Sequence, residues 1–233
     1  MPANDYVAFV PIRGGSKGLE NKNIKHFAGL PLYEHAVRQG LRVCSRCVVS
    51  TDIESVLNAD ITDARLIHRR PANLATDNAP MDVVLRDGIE SLALAGRSIV
   101  LLQATSPLRN DDIIEGAIAC HRTGAHDLVL SATLDDRSIL KSGMIEDGKF
   151  LPVSKPEYCF SNRQSLPDIY RPNGAVFVFS ADWFLANGGL ATDKIGAVTM
   201  PAAQSYDIDT QDDFTRAEAL FHDAGAVHVV HGQ

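Results

Sequence analysis

Between Tyr6 and His121 a strand-length apolar run is followed three times by a segment of helical period. The pairs are Tyr6 to Pro11 then Leu32 to Leu41, Cys47 to Ser50 then Ile53 to Asn58, and Ile99 to Gln103 then Asp111 to His121. Such alternation constrains the chain to a parallel sheet covered by helices. Leu66 to His68 and Leu128 to Ala132 add two further buried strands. In sheets of this kind ligands collect beyond the carboxyl ends of the strands.

From Leu140 to about Arg171 the rhythm changes. "LKSGMIEDGKFLPV" sets a D-G turn between two short apolar stretches, which predicts a hairpin. "SKPEYCFSNRQSLPDIYRPNG" follows with three prolines and little periodicity, an extended arm or loop. A long irregular segment in a compact domain is usually functional or an interface. The alternation then resumes with a strand over Ala175 to Phe179, a helix from Asp182, a strand near Ala197 to Met200, and a final helix from Gln211. Thr210 and Asp213 read as that helix's capping box. The tail VHVVHGQ reads as an edge strand or as disorder. The expected fold class is α/β: a Rossmann-like, doubly wound, mostly parallel sheet with helices on both faces. It forms one domain over residues 1–233, with 140–171 inserted as an arm.

The turn after the first strand carries the strongest chemical signal. "VPIRGGSKGLENKN", residues 10 to 23, gathers Arg13, Lys17 and Lys22 around Gly14, Gly15 and Gly18, in a chain of formal net charge -7. It is not a P-loop, because Lys17 precedes Gly18 and Leu19 follows; adjacent Gly14 and Gly15 also break the dinucleotide fingerprint. Glycines let backbone N–H groups approach a phosphate, and the cations add charge. A plain strand-to-helix turn with solvated cations would use the same residues.

Composition excludes several classes. With 29 Asp and Glu against 22 Lys and Arg, a general nucleic-acid or anionic-membrane surface is disfavoured. There is no run of eighteen apolar residues, and MPANDY lacks the charge and apolar core of a leader, so the expectation is a soluble, cytoplasmic protein. Cys44 and Cys47 have no second pair to complete a zinc site, and the histidines show no HExxH spacing.

Six blocks in fixed order then narrow the reading: "RGGSKGLENKN", "VVSTD" at 48 to 52, "RRPANLATDNAP" at 69 to 80, "LLQATSPLR" at 101 to 109, "RPNGAVF" at 171 to 177, and "YDIDT" at 206 to 210. Together they resemble the CMP-sialic acid synthetases, cytidylyltransferases that activate acylneuraminic, legionaminic and pseudaminic acids. The resemblance covers residues 7 to 221. The turn differs from the R-x-G-S-x-R-x-P-x-K pattern of CMP-Kdo synthetases. What the resemblance implies is a nucleotide-diphospho-sugar transferase fold and attack by the anomeric 2-hydroxyl of a 2-keto sugar acid on the α-phosphorus of CTP, releasing pyrophosphate.

It also implies roles. Arg13, Ser16, Lys17, Lys22 and Asn23, with amides around Gly14, Gly15 and Gly18, would grip the triphosphate. Arg70, Asn73, Asp77 and the loop through Pro80 fall in the cytosine and ribose region. Gln103 would stand between nucleotide and sugar, with Ser106 and Arg109 shaping the turn. Lys141, Arg163, Arg171 and Asn173 would serve the sugar acid, the arm crossing to a partner subunit in a homodimer. Asp207 and Asp209 lie two apart, so an extended segment points both the same way. Read alone, they are a metal pair or a helix approach beside a solvated acid, and Arg70 alone could be an exposed strand-end cation. The resemblance makes the pair ligands of Mg²⁺, with Asp209 the hypothesised general base and Arg13, Lys22, Gln103 and Asp209 the catalytic set. The rival readings are activation of Kdo or another sugar on the same fold, and a nucleotide-binding module without catalysis. The blocks do not select one nonulosonic acid.

Overall fold

A computed structural model of the chain describes residues 5–15, 18–58, 62 and 64–230. The first half alternates as the sequence requires: β1 (Tyr6–Pro11), the short pair β2 (His26–Phe27) and β3 (Leu30–Pro31), α1 (Leu32–Val43), β4 (Arg46–Thr51), α2 (Glu54–Leu57), β5 (Arg65–Arg69), α3 (Met81–Ser91), β6 (Ser98–Leu102), α4 (Asp111–Arg122) and β7 (Leu128–Asp135). The hairpin β8 (Gly143–Glu146) and β9 (Lys149–Pro152) turns at Asp147 and Gly148, both at positive φ as a D-G hairpin demands. Then come β10 (Ile169–Ser180), α5 (Ala181–Asn187), β11 (Ile195–Thr199) and α6 (Gln211–Val230).

Among the described residues seven strands form one sheet in the order β11-β7-β10-β6-β1-β4-β5. All pairs are parallel except those of β10, which runs antiparallel to both β6 and β7. No crossover helix separates β7 from β10; the chain goes out through the hairpin and arm and returns from the opposite end. The sheet is therefore mixed at one strand. That strand is also longer than the expected 175–179, beginning at Ile169, so "RPNG" lies inside it. The ladder shifts register between Pro172 and Phe177, and Gly174 has φ 76°. A bulge accommodates both the proline, which cannot donate to a ladder, and the left-handed glycine.

Every residue of β1 is buried, as a strand covered on both faces must be. Tyr6, Ala8 and Val10 pack under α1 and α4, with Ala36, Val37, Ile114 and Ala117. Val7 and Phe9 pack on the other face, with Leu85 and Ile89 of α3 and Phe184 of α5. A third cluster seats α6 on Phe27 and Leu32 through Phe214 and Ala217.

Helix α3 has no counterpart in the sequence reading, which assigned only a loop as far as Pro80. Its apolar face is narrow (Val84, Leu85, Ile89), and Gly88 interrupts it. That glycine is required by close packing, since a Cβ there would lie 2.7 Å from the Phe9 ring. The capping box holds: Asp213 Oδ2 accepts from Thr210 N at 2.8 Å, and Asp213 N donates to Thr210 Oγ1 at 3.2 Å. Residues 227–230 continue α6 and are not an edge strand, because extending a helix gains a hydrogen bond per residue fixed while an edge strand needs a partner. Residues 231–233 lie outside the described residues. Among the described residues no helix is long and apolar enough to cross a membrane.

Candidate active site

The strand order runs away in opposite directions from β1 and β6, which lie side by side, and the loops leaving their carboxyl ends enclose a cleft of about 250 Å³. Such a switch point is where open α/β sheets bind ligands. Arg13, Lys22 and Asn23 line it from the glycine-rich turn, Arg70 and Asp77 from the segment after β5, and Gln103 from the end of β6. Three cations against one carboxylate make it a place for an anion.

The turn is held by its own polar groups. Asn23 Nδ2 donates to Arg13 O at 2.9 Å, so this amide braces the loop from a buried position. Gly14 N donates to Asp52 Oδ1 at 2.9 Å. Gly15 has φ 66°, and a Cβ on Gly18 would lie 2.5 Å from the carbonyl oxygen of Asp209. Lys22, 7% exposed, donates from Nζ to Ile208 O at 2.6 Å and to Asp209 Oδ1 at 2.9 Å. The lysine thus ties the turn to the YDIDT segment. Arg13 Nη1 donates to Gly14 O at 3.2 Å, and Nη2 pairs with Asp77 across the cleft mouth. Ser16 and Lys17 lie outside the described residues.

Arg70 is 6% exposed and is not a solvated strand-end cation. Its Nη2 donates to Ser50 O at 2.9 Å. Burial pulls its pKa down to about 10, against the opposing pull of Asp52. A cation held dry gains most from an arriving anion. Asn73 is exposed and lines neither this cleft nor its neighbour; Pro80 caps the start of α3.

A second cleft of about 370 Å³ adjoins the first, and Met81, Gln103 and Thr105 belong to both. Its walls are apolar at Leu101, Phe177 and Leu190 and polar at Asn173 and Asp207. The β10 bulge turns Asn173 inward, where Oδ1 accepts from Ser131 Oγ at 2.6 Å and Nδ2 donates to Thr133 Oγ1 at 3.0 Å. Gln103 is fixed through its backbone: Arg109, 2% exposed, donates from Nη1 to Gln103 O at 2.6 Å and to Ala175 O at 3.0 Å. Arg109 therefore shapes the turn from within, with its pKa pushed down to about 9 by burial.

Asp207 and Asp209 are both exposed: Asp207 lines the second cleft, and Asp209 pairs with Lys22. Ile208 between them is wholly buried, and its N–H donates to Thr105 O at 2.9 Å. Desolvation at the cleft wall raises the Asp207 pKa; Thr105 lowers it by a hydrogen bond and the charge of Asp209 raises it again. Arg171 stands beside this acid in a further groove, paired with Asp135 at 2.9 Å. Lys141 and Arg163 line none of these clefts; Arg163 pairs with Asp136 at 3.1 Å.

Asp52 and Thr105 are structural parts of the site that the sequence reading did not single out. Asp52 was visible as the acid ending "VVSTD", directly after a strand, which is where a crevice residue falls. Thr105 had no signal beyond its place after Gln103.

This arrangement, anion cleft beside polar–apolar cleft at a switch point, can be set against known proteins. A family model described as Cytidylyltransferase matches residues 7–154. The chain is 30% identical over 220 residues to an N-acylneuraminate cytidylyltransferase of Streptococcus agalactiae, with 89% of this chain and 51% of that one covered, so it spans about half the length of that relative. It is 27% identical over 228 residues to the CMP-N,N'-diacetyllegionaminic acid synthase of Legionella pneumophila, covering 92% of this chain and 95% of that one. A solved CMP:2-keto-3-deoxy-manno-octonic acid synthetase in complex with CTP superposes with TM-score 0.69 at 13% identity, covering 95% of this chain and 100% of that one. That likeness shows the shared nucleotide-diphospho-sugar transferase fold. With its switch-point cleft and with most of its length matched by the family model, the chain belongs to the cytidylyltransferase family.

Proposed function

We propose that this chain activates a nonulosonic, sialic-type acid with CTP, giving the CMP-sugar and pyrophosphate. The observation that carries the reading is the pair of clefts meeting at Gln103, one lined by Arg13, Lys22 and Arg70 and the other bordered by Asn173 and Asp207. The nucleotide belongs in the cationic cleft, with Arg13, Lys22 and the turn's amides toward the triphosphate and Arg70 and Asp77 toward the nucleoside. The sugar acid belongs in the second, its apolar wall suited to an acyl group.

In the reaction the 2-hydroxyl oxygen bonds to the α-phosphorus while the bond to the bridging oxygen of pyrophosphate breaks. Charge neutralisation and alignment are the main tasks, as in other phosphoryl-group transfers. Lys22 enters with its ammonium already held against the YDIDT segment by Ile208 O and Asp209, and Gln103, clamped by Arg109, separates donor from acceptor. The hydroxyl proton leaves to the acidic pair. Asp209 is the acceptor proposed from the sequence, and Asp207 is the alternative whose carboxylate lines the sugar's cleft. Retention of a normal pH profile by Asp209→Asn would move the role to Asp207.

Asp207 and Asp209 also fit a divalent cation. They are hard oxygen ligands two residues apart whose charges repel each other, and Mg²⁺ favours one or two carboxylates completed by phosphate oxygens and water. When bound, Mg²⁺ would polarise the α-phosphate and shield the leaving pyrophosphate. Residues 140–171 would form the arm of a homodimer, bringing the partner's copies of Lys141 and Arg163 to the sugar.

Isothermal titration with CTP, with and without Mg²⁺, tests the nucleotide half. The expected result is binding strengthened by Mg²⁺ in the wild type, with the strengthening lost in Asp207→Ala. Binding indifferent to Mg²⁺ in both would favour a nucleotide sensor.

A further inference from the structure

Arg70 is held from behind by a line of buried polar groups that the reaction does not use. Its Nε donates to Ser50 Oγ at 3.3 Å, and Ser50 Oγ lies 3.0 Å from His68 Nδ1. The other ring nitrogen, Nε2, lies 2.9 Å from Asp87 Oδ2 on α3. Ser50 is wholly buried and His68 is 3% exposed. Asp87 Oδ2 is buried and takes no well-aligned hydrogen bond, so the approach of Nε2 is its polar contact among the described residues.

Counting donors assigns the protons. A guanidinium offers only N–H groups, so Ser50 Oγ accepts from Arg70 and must send its own proton to an acceptor. Nδ1 of a neutral His68 is that acceptor. The ring proton then sits on Nε2, facing the Asp87 carboxylate. The order is that of a serine hydrolase's triad with the ring nitrogens exchanged, yet a sealed Ser50 meets no substrate. Through that serine the chain ends instead on the cleft-lining arginine.

We propose that His68 is a positioning residue for Arg70. Its neutral ring, oriented by Asp87, holds the Ser50 hydroxyl so that the guanidinium stays aimed into the nucleotide cleft, and protonation of the ring releases that hold. The inference rests on the first cleft being the nucleotide's.

A proton on Nδ1 would remove the acceptor from Ser50, set one donor against another, and place a cation beside Arg70. The charged groups facing the ring are Asp87 from α3 and Arg70 from the turn after β5, and Asp52 in turn faces Arg70. Burial lowers the His68 pKa below the ordinary 6.5; Asp87 opposes this and Arg70 adds to it. The ring is therefore neutral at neutral pH, and the hold is lost on the acid side.

CTP affinity, measured by titration calorimetry between pH 5 and pH 8 on wild type, His68→Leu and His68→Asn, tests the relay. Protonation of the nucleotide is common to all three proteins and cancels in their ratios. His68→Leu removes the acceptor and is expected to weaken CTP about three- to tenfold at pH 8, the range of one hydrogen bond. His68→Asn offers Ser50 a carbonyl that does not titrate, so it should bind within about twofold of wild type at pH 8 and lose the extra weakening at low pH. If the leucine variant does not fold, Ser50→Ala breaks the same chain one link nearer Arg70 and should weaken CTP similarly.

The imidazole ¹H–¹⁵N correlation spectrum, with His68 identified by its absence in His68→Asn, is expected to show the Nε2–H tautomer. A ring protonated at Nδ1 at neutral pH, or equal affinity and equal pH dependence in all three proteins, overturns the proposal. A wild type that does not bind CTP overturns the cleft assignment instead, and the ring spectrum still reports on the relay.

Discussion

Desolvation at the cleft wall and the charge of Asp209 push the Asp207 pKa above the ordinary 3.8, against the pull of the Thr105 hydrogen bond and of Lys22. A carboxyl that binds its proton more tightly folded than unfolded costs stability once pH exceeds the folded pKa. Asp207→Asn is therefore expected to melt at a higher temperature than wild type at pH 7. The gap should close as pH falls toward 3.8, where the carboxyl takes up its proton in both states. Thermal melts across that range check the sign; a variant melting at or below wild type at pH 7 would show that Asp207 is not strained. The same substitution should abolish turnover, a trade of stability for activity common at catalytic sites. Residue identity in "YDIDT" was legible as a pair of acids on an extended segment. Their inequality was not, because Asp207 borders the second cleft beside Thr105 while Asp209 is held by Lys22, and both partners lie far away in sequence.

At the scale of elements, strands covered on both faces were the easiest to read, since β1 and β6 are nearly continuous apolar runs and β4 carries one at Cys47 to Val49. Helix α3 escaped because packing against Phe9 requires Gly88, and a glycine in mid-helix weakens the very signal that marks one. The direction of β10 escaped because direction is set by how the chain returns from the arm, not by the strand's own residues. The β8–β9 hairpin was visible as a D-G turn, and the irregular stretch after it as a run of prolines. The arm's side chains divide: Leu166 is 2% exposed, buried within its own chain, while Met144, Ile145, Phe150 and Phe160 remain exposed, Phe160 at 91%. Apolar side chains grouped on an inserted arm suit a surface that another copy covers. Ile145→Glu combined with Phe160→Glu is expected to convert a dimer to a monomer in sedimentation velocity without changing the melting of the core. A wild type that sediments as a monomer at micromolar concentration would remove the dimer from the account.

For the whole molecule, blocks separated by up to nearly two hundred residues converge because strand order reverses between β1 and β6. Arg13, Lys22, Asn23, Arg70, Asp77 and Gln103 meet in one cleft for that reason, and alternation of strands and helices was enough to anticipate where. Asn73, Lys141 and Arg163 stand apart from it in the single chain, since an exposed turn and an arm take their places from contacts that periodicity does not encode. The central claim is that the two clefts are a donor site and an acceptor site for one transfer. Pyrophosphate release tests it most directly, measured with CTP and Mg²⁺ against N-acetylneuraminic, legionaminic, pseudaminic and Kdo acids, with UTP and ATP as controls. The account predicts release that needs CTP and one of the nonulosonic acids together and disappears in Asp207→Ala. Release with Kdo alone, or no release with any acid while CTP still binds, would contradict it.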